Sequence, residues 1–201
     1  MSFKMVRSLF LASHSPRRRE FLSLAGITCT LAGTRAGAEP APAPDEKPRD
    51  FVMRAAAAKA EAAVLPADAP EGVILAADTI VALDDDILGK PRSIEEAFAM
   101  LRRLSGRTHH VLTAVCLRDG LHGDELFADV TAVHFAKWPD PVLRAYAASG
   151  DCLDKAGAYG IQSRGIFLSD RVEGAWDTVA GLPVCRVAEA LFRHGVIVPG
   201  E

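Results

Sequence analysis

The chain has 201 residues, 49% of them apolar, and a formal net charge of −3. That length and apolar share suit one sizeable folded domain and exclude a disordered chain. A charge so near balance excludes general attraction to nucleic acid or an anionic membrane, so any run of one sign is a local device.

The opening stretch MSFKMVRSLFLASHSPRRR has the outline of a signal peptide. Its apolar part is only about five residues, short of the roughly 7–15 that such a segment needs. No run approaches the ~18 apolar residues of a spanning helix. Cys29, Cys116, Cys152 and Cys185 are far apart and form no C-x-x-C pair. They read as buried thiols of a reducing compartment, and a soluble cytoplasmic protein is expected.

SLFLAS reads as a short buried strand leading into a helix that starts at SHSPRRREFL. Ser15 is a good N-cap, Pro16 suits the first helical position, Phe21, Leu22 and Ala25 form an apolar stripe, and Gly26 offers a stop. Arg17, Arg18 and Arg19 then occupy a first turn whose dipole disfavours cations by roughly 0.3–1 kcal/mol each. Backbone N–H groups and forked guanidinium donors together suit a phosphate, which would reverse that term. The alternative is that the arginines simply face solvent. Without ligand, removing Arg18 is expected to be neutral or slightly stabilising.

ITCTLAG looks like a second strand, and RAGAEPAPAPDEKPRD like an extended loop within one domain. A helix is expected over 50–64. GVILAADTIVALDDD reads as a central strand carrying Asp78 in its apolar middle. A carboxylate there is expensive unless paired or holding a metal, so it is either a site carboxylate or the partner of a structural cation. Asp84, Asp85 and Asp86 read as a solvated turn. Lys90 sits in the rigid turn LGKPRS, where a solvated role is the ordinary one. SIEEAFAMLRRLSG is a helix with a Ser93–Glu96 capping box and Ala97, Met100, Leu101 and Leu104 on one face.

HHVLTAVCLRDGLHGDELFADVTAVHFA reads as two strands joined near Gly120–Gly123. Pro139 opens a short helix with Val142, Leu143 and Tyr146 on one side. DKAGAYGIQSRG, with Lys155 and Gln162, is aperiodic and glycine-rich, as in a loop that approaches a ligand closely. LPVCRVAEALFRHG is a helix with Val184, Val187, Leu191 and Phe192 on one face. The class is α/β or α+β with a mixed sheet. Arginines at a helix end, a strand carboxylate, lysines on tight turns and a loop bearing Glu46 together suit a polyphosphate with a divalent cation.

These stretches, in this order, resemble the Maf family of nucleoside triphosphate pyrophosphatases over nearly the whole chain. LASHSPRRREFLSLAGI is similar to its N-terminal signature, and DEKPRDFVMRAAAAKA to its Glu loop and Lys helix. AADTIVALDDDILGKP with EEAFAMLRRLSGRTHHVLTAV is similar to its central block, and DKAGAYGIQ with GLP to its last. The resemblance implies one domain over 1–201: an α/β fold with a mixed twisted sheet and flanking helices, elongated and two-lobed around a cleft, like the inosine-triphosphate pyrophosphatases. A homodimer is a common arrangement in such a fold.

The resemblance further implies hydrolysis of a nucleoside triphosphate to the monophosphate and pyrophosphate, a nucleotide house-cleaning activity. Asp78 matches the proton acceptor. Ser13, Arg18, Glu46, Lys59, Lys90 and Asp154 fall on positions lining the phosphates and a Mg²⁺ or Mn²⁺ ion, with Glu46 and Asp78 as its carboxylates. Arg17, Thr79 and Gln162 occupy the positions that separate subfamilies. Arg17 and Gln162 match the dTTP/UTP branch, and the Gln162 amide can read the polar edge of uracil or thymine. Ala114, Ser163 and WDTVAGLP depart from the family pattern. Two other readings follow from the same resemblance: a 7-methyl-GTP pyrophosphatase, and a non-catalytic nucleotide-binding regulator of septation.

Overall fold

Strand β1 (Phe3–Met5) leads into β2 (Ser8–Ala12), whose residues 9–12 are all buried. A computed structural model supplies this architecture and describes residues 3–35, 37, 40–69 and 71–200. Helix α1 (Pro16–Leu24) begins at the expected proline. Ser15 has the extended backbone of a cap but makes no side-chain capping bond; the Ser13 hydroxyl accepts the Ser15 N–H at 3.2 Å instead. The helix ends as expected at Gly26, whose φ of 74° lets the Gly26 and Ile27 N–H groups turn back onto the Ser23 and Leu22 carbonyls.

The expected strand over 27–33 is two shorter ones, β3 (Thr30–Leu31) parallel to β2 and β4 (Gly33–Thr34). The loop before the next helix includes Ala36, Ala38 and Glu39, which lie outside the described residues. Helix α2 (Pro48–Glu61) starts two residues earlier than expected because Pro48 takes the first helical position. It also stops earlier, since residues 63–64 are drawn off as β5 (Ala63–Val64), antiparallel to β4.

Strand β6 (Gly72–Leu83) is the expected central strand and runs parallel to β2 in the register Ser8↔Gly72 to Ala12↔Ala76. Glycine is needed at 72, because a Cβ there would sit 2.9 Å from the Phe10 ring. β7 (Asp86–Leu88) folds back on β6, and the acidic turn between them is solvated as expected, Arg107 and Arg103 pairing Asp84 and Asp86. Helix α3 (Ile94–Leu104) is capped by the Ser93 hydroxyl, which accepts the Glu96 N–H, while the Glu96 carboxylate accepts the Arg92 N–H. β8 (Thr108–Arg118) and β9 (Glu125–Phe135) are neighbours joined by the expected turn.

Helix α4 (Asp140–Ala148), β10 (Ser169–Glu173), α5 (Trp176–Ala180), α6 (Val184–Arg193) and β11 (Ile197–Pro199) complete the described elements. The larger sheet has the order β10-β9-β8-β6-β2-β3, with β7 on β6. Pairing is parallel on both sides of β2 and antiparallel between β9 and β10, so the sheet is mixed, with helices flanking it, as expected. β11 returns to pair with β1. In α6 the buried face is Val187, Ala190 and Leu191, whereas Phe192 is 54% exposed. The step from 187 to 190 and 191 follows the helical repeat and leaves Phe192 off the stripe.

The chain gathers into two compact units, each discontinuous in sequence. One holds residues 1–78, 113–129 and 181–201; the other holds 79–112 and 130–180. The first has its own core around Leu9, Leu22, Leu75, Leu117 and Leu191, the second around Leu83, Leu101, Leu104, Leu143 and Leu168.

Candidate active site

In the first unit the arginine turn divides by burial. Arg19 is exposed, Arg17 half-buried, and Arg18 only 8% exposed. Arg18 Nε donates to the Gly181 carbonyl at 2.8 Å, and Nη1 donates to the Ala77 carbonyl at 2.8 Å and the Ser13 hydroxyl at 3.0 Å. These oxygens explain why a cation is tolerated at this helix start: charge-assisted bonds to backbone carbonyls outweigh the dipole term. They also correct the expectation that Arg18 is dispensable without ligand, because its loss would leave buried carbonyls unpaired. Ser13, Arg18 and residue 77 next to Asp78 are thereby joined.

Asp78 lies on β6, and its Oδ1 accepts from Lys59 Nζ at 2.6 Å. Both side chains are 17% exposed. The strand carboxylate therefore has a cation partner, and the partner is itself one of the expected site residues. Lys59 stands in the last turn of α2, where a positive charge is favoured by the helix dipole.

Glu46 follows Asp45, whose φ of 57° is in the left-handed region. Arg54 grips it with a fork, Nε to Oε1 at 2.8 Å and Nη2 to Oε2 at 2.6 Å, and the Ala43 N–H donates to Oε2 at 2.9 Å. The Arg54 bonds, with that N–H, hold the Glu46 carboxyl down at about 2.

The second unit carries the remaining expected residues. Thr79 is half-buried on β6, one position after Asp78, so its side chain points to the opposite face of the strand. Lys90 is exposed in the turn after β7. That turn is tied to the glycine-rich loop by the Gly157 N–H, which donates to the Gly89 carbonyl at 3.1 Å. Gly157 has φ 69°, and a Cβ there would lie 2.8 Å from Val81, so only glycine closes this approach.

In the same loop Lys155 Nζ donates to Asp154 Oδ1 at 2.6 Å. Ser163, next to the exposed Gln162, donates from its hydroxyl to Asp151 Oδ2 at 2.7 Å, and Tyr146 donates to the same oxygen at 2.9 Å. Lys90, Asp154, Lys155 and Gln162 thus share one stitched loop system.

A further constellation was missed in the sequence. In the first unit Asp119, at the head of the β8–β9 turn, has a fully buried side chain gripped by Arg7, with Nη2 to Oδ1 at 2.7 Å and Nη1 to Oδ2 at 2.8 Å. His122 Nδ1 and His194 Nδ1 lie 3.0 and 2.9 Å from Oδ2, and the Leu121 N–H donates to Oδ1. Arg7, with help from these donors, holds the Asp119 carboxyl far below the usual carboxylate range. The D-x-x-H spacing of Asp119 and His122 is the only local sign of this group; Arg7 and His194 are remote in sequence.

The fold and site define a class, an α/β protein with a mixed sheet, a lysine-paired carboxylate in its central strand and a buried arginine at a helix start. The chain belongs to the Maf-like protein family, whose model matches residues 8–194. It is 46% identical to the dTTP/UTP pyrophosphatase of Nitratidesulfovibrio vulgaris over 97% of this chain and 91% of that one. It is 44% identical to the dTTP/UTP pyrophosphatase of Anaeromyxobacter dehalogenans strain 2CP-1, covering 98% and 99% of the two chains. Among solved structures, the nucleoside-triphosphatase / dITP/XTP pyrophosphatase of Mycobacterium abscessus aligns over 92% of this chain and 95% of that chain at 15% identity, with a TM-score of 0.44. Among the described residues no helix is long and apolar enough to cross a membrane.

Proposed function

We propose that this chain is a nucleoside triphosphate pyrophosphatase that hydrolyses dTTP and UTP to the monophosphate and pyrophosphate. The observation that carries the reading is Asp78, a carboxylate within a largely buried strand, held by the single ammonium of Lys59. Family membership and the names of the curated relatives support it.

In this reading Lys59 exchanges Asp78 for a phosphate oxygen when the triphosphate arrives. Asp78 then accepts a proton from the attacking water as the phosphoanhydride between the α and β phosphates breaks and pyrophosphate leaves. Lys59 offsets the charge on the leaving pyrophosphate. Arg18 acts chiefly by fixing Ser13 and residue 77 beside Asp78. Lys155 and Asp154 order the loop that carries Gln162, whose amide matches the acceptor–donor–acceptor edge of uracil or thymine.

The donor chemistry of Asp78 fits a hard divalent cation such as Mg²⁺ or Mn²⁺. Glu46 fits as a second ligand only after Arg54 lets go, since its two oxygens take the guanidinium fork and the Ala43 N–H. When bound, the ion would supply charge neutralisation on the phosphate oxygens.

The test is pyrophosphate release from UTP, dTTP, CTP, GTP and 7-methyl-GTP with Mg²⁺ or Mn²⁺. UTP and dTTP should lead in kcat/KM and 7-methyl-GTP should trail, because a site that hydrogen-bonds one base leaves its polar groups unpaired on another. A lead for 7-methyl-GTP would overturn the base assignment alone. No turnover of any nucleotide would overturn the enzyme.

A further inference from the structure

The Asp119 group includes none of the residues assigned to pyrophosphate chemistry. We infer that Asp119, His122 and His194 form a binding site for a divalent transition ion of the Zn²⁺ class. One donor atom from each residue falls within 4.8 Å of the others, and no other group of three His, Cys, Asp or Glu side chains among the described residues does so. The two imidazole Nδ1 atoms converge on one oxygen, Asp119 Oδ2, at 3.0 and 2.9 Å. Around a tetrahedral ion with bonds of about 2.0–2.2 Å, donor atoms sit about 3.4 Å apart, so each imidazole would draw back from Oδ2 by roughly half an ångström as the ion enters.

The outer contacts are those a metal site needs. His194 Nε2 faces Glu125 Oε2 at 3.1 Å, the carboxylate–histidine arrangement that orients an imidazole with its other nitrogen on a metal. Asp119 Oδ1 is held by Arg7 Nη2 and the Leu121 N–H, which aims Oδ2 at the imidazoles. Arg7 Nη1 donates to Oδ2 at 2.8 Å and lies 3.3 Å from His122 Nδ1, so it must draw off that nitrogen as the ion enters, while Oδ2 keeps a second lone pair for the ion. Each Nδ1 binds the ion unprotonated, with the proton of the neutral ring on Nε2, which at His194 faces Glu125. Two imidazoles and one carboxylate favour Zn²⁺, Co²⁺ or Ni²⁺ over Mg²⁺. Three protein donors leave a fourth position to water. The ion would clamp the β8–β9 turn to the end of α6, a structural role separate from the nucleotide chemistry.

The experiment uses the full chain, stripped with EDTA and titrated with Zn²⁺ against a chromophoric chelator. One Zn²⁺ per chain should bind, undisturbed by millimolar Mg²⁺. Glu125→Gln should weaken it about 10–100-fold, and His122→Ala by at least that much. His122 is nearly half exposed, so that variant should keep its fold, checked by melting temperature. Zn²⁺ should raise the melting temperature of the parent but not of His122→Ala. Absence of Zn²⁺ binding overturns the site and leaves an arginine–carboxylate–histidine network only. Undiminished binding to His122→Ala also overturns it and places the ion elsewhere, on the cysteines or at Asp78.

Discussion

Asp78 and Asp119 are both strongly shielded aspartates of the first unit, and they are held in opposite ways. Asp78 has one cation partner, a lysine on a flexible stem, and keeps 17% of its side chain exposed. Asp119 is completely enclosed and receives an arginine fork, two imidazoles and a backbone N–H. A carboxylate with one movable partner can change partners during a reaction. A carboxylate gripped at both oxygens by a rigid arginine fork cannot give up that cation cheaply, and its removal leaves several donors unpaired. The number and stiffness of the partners, rather than burial alone, separate the two roles.

The largest effect that would sharpen this contrast is on turnover. Asp78→Asn should lower kcat for dTTP and UTP by about 10²–10⁴-fold while leaving the melting temperature within a few degrees. Turnover within about threefold of the parent would remove Asp78 as proton acceptor, since a general base contributes far more.

The opposite pattern is expected at the other aspartate. Asp119→Asn breaks a buried ion pair and should destabilise by about 3–5 kcal/mol, a fall of roughly 6–20 °C in melting temperature. The pH dependence has a definite sign. The folded-state pKa of Asp119 is depressed, so its stabilisation is present above the unfolded value near 3.9 and is lost as pH falls. Melting curves of parent and variant should therefore converge in acid. A constant gap down to strongly acid pH would assign the loss to packing instead.

Arg18→Ala tests whether a residue beside the site can be structural. Unpairing the Ala77 and Gly181 carbonyls should cost about 2 kcal/mol, or roughly 4–8 °C, without any nucleotide present. An unchanged apo melting temperature would return Arg18 to the groups held in readiness for ligand.

The smallest effect is local. Carboxyl NMR should place Glu46 near 2 in the parent, and Arg54→Ala should let it rise toward the ordinary 4.5. In the parent the Glu46–Arg54 contact is complete above the ordinary value and opens as pH falls toward 2, so the 40–54 loop should loosen in that window. A Glu46 that titrates normally in the parent would mean the fork does not persist in solution.

Much of the fold was legible because it is encoded locally. Pro16 and Gly26 bracket α1, Ser93 and Glu96 cap α3, and the β-branched run of β6 needs no partner to be recognised. Strand β10 and helix α5 were not legible. Their sequences, SDRVE and WDTVA, are only five residues each, too short to show a period, and pairing with β9 is what makes SDRVE a strand. Two-residue strands such as β3 likewise exist only because a neighbour offers hydrogen bonds.

By itself the sequence determined the types of the longer elements, the mixed α/β class, the family, and that Asp78 and the arginine turn needed partners. Only the tertiary structure decided which partners those are. Lys59 is 19 residues from Asp78, Asp119 is 112 from Arg7 and 75 from His194, and Gly181 is 163 from Arg18. No helical or strand period spans such separations. These contacts form because parallel pairing of β2 with β6 and the return of the chain through α6 bring remote segments together, and burying apolar strands and helix faces drives that assembly.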